Sequence, residues 1–176
     1  QFDRMYLKRL RTYKKIGFRI LTDEPQKKQE VHAIYDAGNY TAVFERDLVE
    51  AEKEIIISSP QITQDKIERF LSLIRPRQEA GVKVTVITEN PENRAYENPE
   101  FIYALAEEMK NSGIYVKIAD SEIEHFAVID QSLVWHGGMN LLGKQDAWDN
   151  LIRVRDAKAV EELLLMAKGA VFYERK

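Results

Sequence analysis

The stretch IEHFAVIDQSLVWHGGMN, from Ile123 to Asn140, gathers residue types that do chemistry: His125, His136, the carboxylate of Asp130, the pair Gly137-Gly138, and Asn140. A histidine exchanges protons or attacks as a nucleophile near neutral pH. Adjacent glycines let backbone approach an anion, and an asparagine amide can hold an oxygen on which charge builds. Together they point to phosphate chemistry.

Each residue also has a plainer use. His125 fits a strand with a satisfied ring, Asp130-Gln131 fits a hairpin turn, and Asn140 fits a helix N-cap before LLGKQ. His136 suits packing, and His32 stands far upstream. The three histidines show no ligand spacing, so no metal is expected.

The spacing is more telling than the residue types. Anchored on Asp130, the chain reads DxxxxxxGGxN through Asn140. This resembles the phospholipase D superfamily, whose signature is HxKxxxxD, six further residues, and GSxN. The phrases HFAVID and VWHGGMNLL are similar to KFAIID and VWYGSMNLL of such domains attached to the C-terminal end of nucleic-acid helicases. The resemblance implies a phospholipase D-like α/β sandwich over roughly residues 31–176, with a mixed, mostly parallel central sheet flanked by helices. It also implies a chemistry without metal or cofactor. One histidine forms a covalent phosphohistidine, a second protonates the leaving oxygen, and lysine and asparagine hold the non-bridging oxygens. A complete site takes two copies of the motif, hence a homodimer or a second domain.

Three positions depart from that pattern. Counting back from Asp130, Ile123 stands in the nucleophile's place and His125 in the lysine's, while Gly138 replaces the serine. Sliding the motif to make His125 the nucleophile puts Ala127 and Ser132 in the lysine and aspartate slots, so the Asp130 anchor stands. On a strand, Ile123 and His125 would share a face about 6–7 Å apart. The expected remnant site is therefore His125, Asp130 and Asn140, with His125, Gly137, Gly138 and Asn140 toward phosphate and Asp149 supporting them. The leading expectation is a degenerate domain that binds nucleic-acid phosphates or mediates assembly. The alternatives are an active metal-independent phosphodiesterase or nuclease using His125 in a dimer, and a dimerisation module without ligand.

The elements that must position these residues follow from periodicity. VHAIYD, EIIISSP, VKVTVIT and IYVKIAD read as strands. Between them lie helices with Val43, Leu48 and Ala51 inward, then an Ile67, Phe70, Leu71, Ile74 stripe capped by Thr63, then FIYALAEEMKNSG opened by Asn98-Pro99. This alternation predicts parallel strands with right-handed crossovers. Ser58 and Ser59 fall at the C-terminal strand edge, where such sheets place ligands. After Asp120 come short strands in HFAVI, SLVWH and NLIRVR, then a last helix from near Asp156.

At 176 residues with 31% charged and 44% hydrophobic content, one globular domain is expected. The absence of cysteine and of any long apolar run favours an intracellular, cytoplasmic protein without membrane partners. The first residue is Gln1, which suggests an excised piece of a longer protein. The net charge of −3 is uneven: residues 1–20 hold seven basic residues against Asp3 alone, giving +6 and leaving −9 for the remainder. That segment reads as an amphipathic connector helix with Phe2, Met5, Tyr6, Leu10 and Tyr13 on one face and Arg4, Lys8, Arg11 and Lys15 on another. Residues 21–30 read as a linker. Lys8, Arg11 and Lys15 are the candidate nucleic-acid contacts, and a preceding ATPase or helicase domain is the candidate partner.

Overall fold

The computed structural model describes residues 33–93, 98–146, 148–170 and 172. The basic segment with Lys8, Arg11 and Lys15, the 21–30 linker and His32 lie outside the described residues.

Among the described residues, seven strands form one sheet: β1 (Ile34–Asp36), β2 (Glu54–Ser58), β3 (Lys83–Glu89), β4 (Tyr115–Ala119), β5 (Phe126–Ile129), β6 (Leu133–Gly137) and β7 (Asn150–Arg155). Four α-helices accompany them among the described residues: α1 (Thr41–Val49), α2 (Gln64–Glu79), α3 (Pro99–Asn111) and α4 (Ala157–Lys168). The strand order is β1-β7-β6-β5-β2-β3-β4.

The α/β sandwich with a mixed sheet is as expected, but the balance within the sheet is not. Only β2–β3 and β3–β4 are parallel, against four antiparallel pairings. The physical reason lies in the connections. Helical crossovers through α2 and α3 return the chain to the same end, whereas the non-helical connections after Asp120 reverse it each time. The first strand adds a further reversal, pairing not with β2 but with β7, Ile34 opposite Ile152.

Helices α1, α2 and α3 cover one face. Phe44 and Leu48, then Ile67, Phe70 and Ile74, then Ile102, Leu105 and Met109 join Ile55, Ile57, Val84, Val86 and Trp135 in a single core. On the other face, Val160 and Leu163 of α4 meet Phe126, Val128, Val134 and Val154. Strand β5 thus has cover on both sides, and all four of its residues are buried. That explains its unbroken apolar sequence. The Asn98 cap is as expected, its side chain accepting from the Phe101 amide, and Asp156, near which the last helix is expected to start, caps it by accepting from Lys158 and Ala159. Thr63 holds the N-cap position of α2, but its hydroxyl donates to Asp65 instead of accepting an amide.

One polar cluster sits inside the large core. The Asp47 carboxylate, 5% exposed, accepts from Trp135 Nε1 at 2.9 Å and from Arg153 Nε and Nη2 at 2.7 and 2.9 Å. Trp135 and Arg153 are cross-strand neighbours, so α1 is fastened to β6 and β7 at one point. Breaking one member of such a buried pair leaves an uncompensated charge.

Candidate functional site

Strands β2, β3, β4 and β6 end, and β5 and β7 begin, at one edge of the sheet. The turn after β6 is shaped by its glycines. The Gly137 amide donates to the His125 carbonyl at 3.3 Å and the Gly138 amide to the Asn150 carbonyl at 3.1 Å. A Cβ on Gly137 would run into the Asn150 carbonyl oxygen, so the close approach of the two strands requires glycine there. A Cβ on Gly138 would lie 2.9 Å from Asp149 Oδ1, which places Asp149 against the glycine pair.

Beyond the glycines, the chain fastens onto the turn after β2. Asn140 Oδ1 accepts the Gln61 amide at 3.0 Å, the buried Ser59 hydroxyl accepts the Leu142 amide at 3.1 Å and donates to the Gln61 carbonyl at 2.7 Å, and the Thr63 amide donates to the Leu142 carbonyl at 2.9 Å. No helix forms over LLGKQ, so Asn140 is not an N-cap: the Gly143 amide turns back to its carbonyl at 3.3 Å.

The segment ahead of β5 is tied down equally. Ser58 Oγ donates to the Glu124 carbonyl at 2.6 Å, and the Ile123 amide donates to Glu89 Oε1 at 3.3 Å. Strand β5 begins at Phe126, so Ile123 and His125 lie in irregular chain and the strand alternation expected to align them does not extend that far. His136 is paired with Glu124, Nε2 to Oε2 at 3.3 Å.

Asp130 stands at the far end of β5, roughly 16 Å from His125 at about 3.3 Å per residue. There Asp130 and Gln131 take φ of 54° and 55°, the left-handed pair of a tight hairpin turn. The Asp130 carboxylate accepts the amides of Glu52, Lys53 and Glu54 at 3.0, 2.7 and 3.0 Å. Burial pushes its pKa up, but the three amides and the Lys53 charge outweigh this and hold it below the usual aspartate value. Its geometry is that of a clamp between the β5–β6 turn and the start of β2.

The fold thus brings His125, Gly137, Gly138, Asn140, Asp149, Ser58 and Ser59 to one edge and leaves Asp130 at the other. Two residues the sequence reading passed over belong to this edge. Gln61 supplies an amide to Asn140, and Glu89, 6% exposed, anchors Ile123. Glu89 was legible as the continuation of the VKVTVIT alternation, which runs one residue further than expected. The edge is electronegative: Glu89, Asp120, Glu122, Glu124, Asp146 and Asp149 occur in it, and Lys144 is the only lysine or arginine in the same turns among the described residues. No group of three or more potential metal ligands occurs among the described residues, and no helix there is long and apolar enough to cross a membrane.

A family model described as "Cardiolipin synthase, PLD-like domain" matches residues 44–166. Among solved structures, the chain is similar to Nuc, a phospholipase D family member from Salmonella typhimurium, with a TM-score of 0.61 and 14% identity, covering 81% of this chain and 96% of that one. NucT from Helicobacter pylori gives a TM-score of 0.58 and 15% identity, covering 80% and 97%. TrmBL2, an archaeal chromatin protein with a novel mode of DNA binding, gives a TM-score of 0.52 and 16% identity; the similarity covers 97% of this chain and 63% of TrmBL2. A search of curated proteins gave no significant match.

Proposed function

Since this chain belongs to the phospholipase D-like domain family, we propose that it is a member without the family's covalent chemistry, serving a nucleic-acid-directed protein as a binding and assembly domain. The observation that carries this reading is Ile123. The position aligned with the nucleophile holds a side chain that cannot attack phosphorus, and its amide is bonded to a carboxylate. The glycine positions fit the same reading, because the Gly137 and Gly138 amides already have partners within the fold.

An edge carrying six carboxylates repels a polyanion, so phosphate contact falls to the Lys8, Arg11 and Lys15 stripe, and the sheet edge becomes framework. The likeness to TrmBL2, described as binding DNA, supports a nucleic-acid setting. By the sequence resemblance, the partner in cis would be a helicase-type ATPase domain, and self-association through the edge would follow the family's two-motif arrangement. A second reading, a metal-independent phosphodiesterase that uses His125 in a dimer, is favoured by one observation: Gly137 bonds directly to His125, so the two keep the family's proximity.

Incubation with single- and double-stranded DNA and RNA in EDTA separates the two. The proposed reading expects intact substrate; cleavage that disappears in His125→Ala would establish the second. Binding measured across salt concentrations should weaken as salt rises, and a Lys8→Ala/Arg11→Ala/Lys15→Ala variant should flatten the log–log slope by about 2–3. A flat response and an unaffected variant would remove nucleic acid from the account.

A further inference from the structure

Strand β4 ends the sheet on one side, with β3 as its neighbour among the seven strands. The Ala119 carbonyl accepts the Asn90 amide at 2.7 Å and so turns toward β3. By strand alternation, the amides and carbonyls of Ile118 and Val116 are then directed to the open side. Such an edge is a template for another strand. One pairing onto it is already present: Ala119 forms an isolated antiparallel bridge with Phe172, a few residues beyond the end of α4. We propose that this bridge is the first rung of an eighth strand, in which residues 173–176, outside the described residues, continue antiparallel along β4 and cover its edge. A second copy of the chain is the competing occupant, but a bridge to Phe172 within one chain favours the segment that follows it. This inference stands apart from the nucleic-acid reading.

Register follows from the bridge. With Phe172 opposite Ala119, antiparallel pairing sets Tyr173 opposite Ile118, Glu174 opposite Lys117, Arg175 opposite Val116 and Lys176 opposite Tyr115. The side chains then fall on faces that suit them. Ile118 packs with Tyr103 and Ala106 beneath α3, so Tyr173 would extend an apolar cluster. Lys117 and Tyr115, the latter 70% exposed, alternate to the opposite face. There Glu174 would meet Lys117 as an opposite-charge pair, and the Lys176 stem would lie along the Tyr115 ring. A slip of one residue would set Glu174 opposite Val116 or Ile118 and lose the charge match. The Lys117 ammonium already stands over the Phe172 ring, 5.1 Å from its centroid, a diagonal cross-strand contact that fits the same register.

The chain has no cysteine, so an engineered pair reports the register without interference. Lys117, like Ala119, turns its polar groups to β3, which makes Lys117 and Glu174 a non-hydrogen-bonded pair with Cα atoms about 4.5 Å apart, within disulfide reach. Under mild oxidation, Lys117→Cys with Glu174→Cys should cross-link within one chain, read by intact mass and non-reducing gel. It should do so about ten-fold faster than Lys117→Cys with Arg175→Cys, whose second side chain points to the other face. Equal rates, no cross-link, or cross-linked dimers would each overturn the proposal, the last by making a second copy the occupant. Deleting residues 172–176 gives an independent readout by amide hydrogen exchange. The Ile118 and Val116 amides should exchange about ten-fold faster, and the Lys117 amide, directed to β3, should change little. Unchanged exchange at Ile118 and Val116, or an equal acceleration at Lys117, would remove the eighth strand.

Discussion

Asn140 and Gln61 are joined by a 3.0 Å hydrogen bond from the Gln61 amide to the Asn140 side-chain oxygen, which holds the turn after β6 against the turn after β2. The asparagine that the family motif assigns to phosphate thus has a structural partner here. Asn140→Ala should lower unfolding free energy by about 1–3 kcal/mol in urea, whereas Asn140→Asp, which keeps an acceptor, should lose less. Equal stability of the alanine variant and the parent would show that the bond does not hold the turns together.

The two glycines of the same turn should respond differently. Gly137→Ala places a methyl against the Asn150 carbonyl and should cost about 3 kcal/mol. Gly138→Ser, which restores the residue of the family motif, meets only the movable Asp149 side chain and should cost about 1 kcal/mol. Thermal melts of the two variants give the order directly; a reversed order would contradict the geometry.

Asp130 should make stability depend on acid. Its folded pKa lies below the ordinary aspartate value, so its contribution is present above the unfolded pKa of about 3.9 and is lost as pH falls through the lower folded value. Asparagine tolerates the same left-handed backbone, so Asp130→Asn isolates the charge. The variant should be less stable than the parent at pH 7, and the gap should shrink below about pH 4. A gap that is constant from pH 7 to pH 2 would mean that the three amides do not discriminate carboxylate from amide.

In the core, Asp47→Ala strands the Arg153 guanidinium and the Trp135 indole and should cost about 3–5 kcal/mol. Replacing the pair together, as Asp47→Leu with Arg153→Met, should recover most of that loss. Denaturation followed by Trp135 emission measures both; a double variant no better than the single one would show that packing, not charge, sets the cost.

Much of this was legible from sequence because it is periodic or local. The helix cap at Asn98, the start of the last helix near Asp156, the hairpin at Asp130 and the α2 stripe each depend on residues a few positions apart. The residues singled out by the Gly137-Gly138 and Asn140 spacing lie together with His125 at one sheet edge. What escaped was long-range. Nothing near β1 announces that it pairs with β7, and a strand's partner is not encoded in its own alternation. Asp47 was readable in part, since Phe44, Asp47, Leu48 and Ala51 share one helix face and a lone carboxylate there requires a buried partner. Its partner Arg153 lies more than a hundred residues on, in a strand otherwise marked only as apolar. Asp130 appeared to belong with the chemistry because the motif is linear, whereas the extended strand carries its two ends apart.

The pairing of β1 with β7 also orders events during synthesis. The first strand leaves the ribosome long before the last, and until Leu151 and Ile152 emerge, Ile34 and Tyr35 have no sheet to join. A nascent chain halted anywhere before β7 would present that unpaired strand, with Trp135 and Asp47 lacking Arg153, to chaperones and proteases. Emergence of β7, more than any local folding step, is what closes this domain.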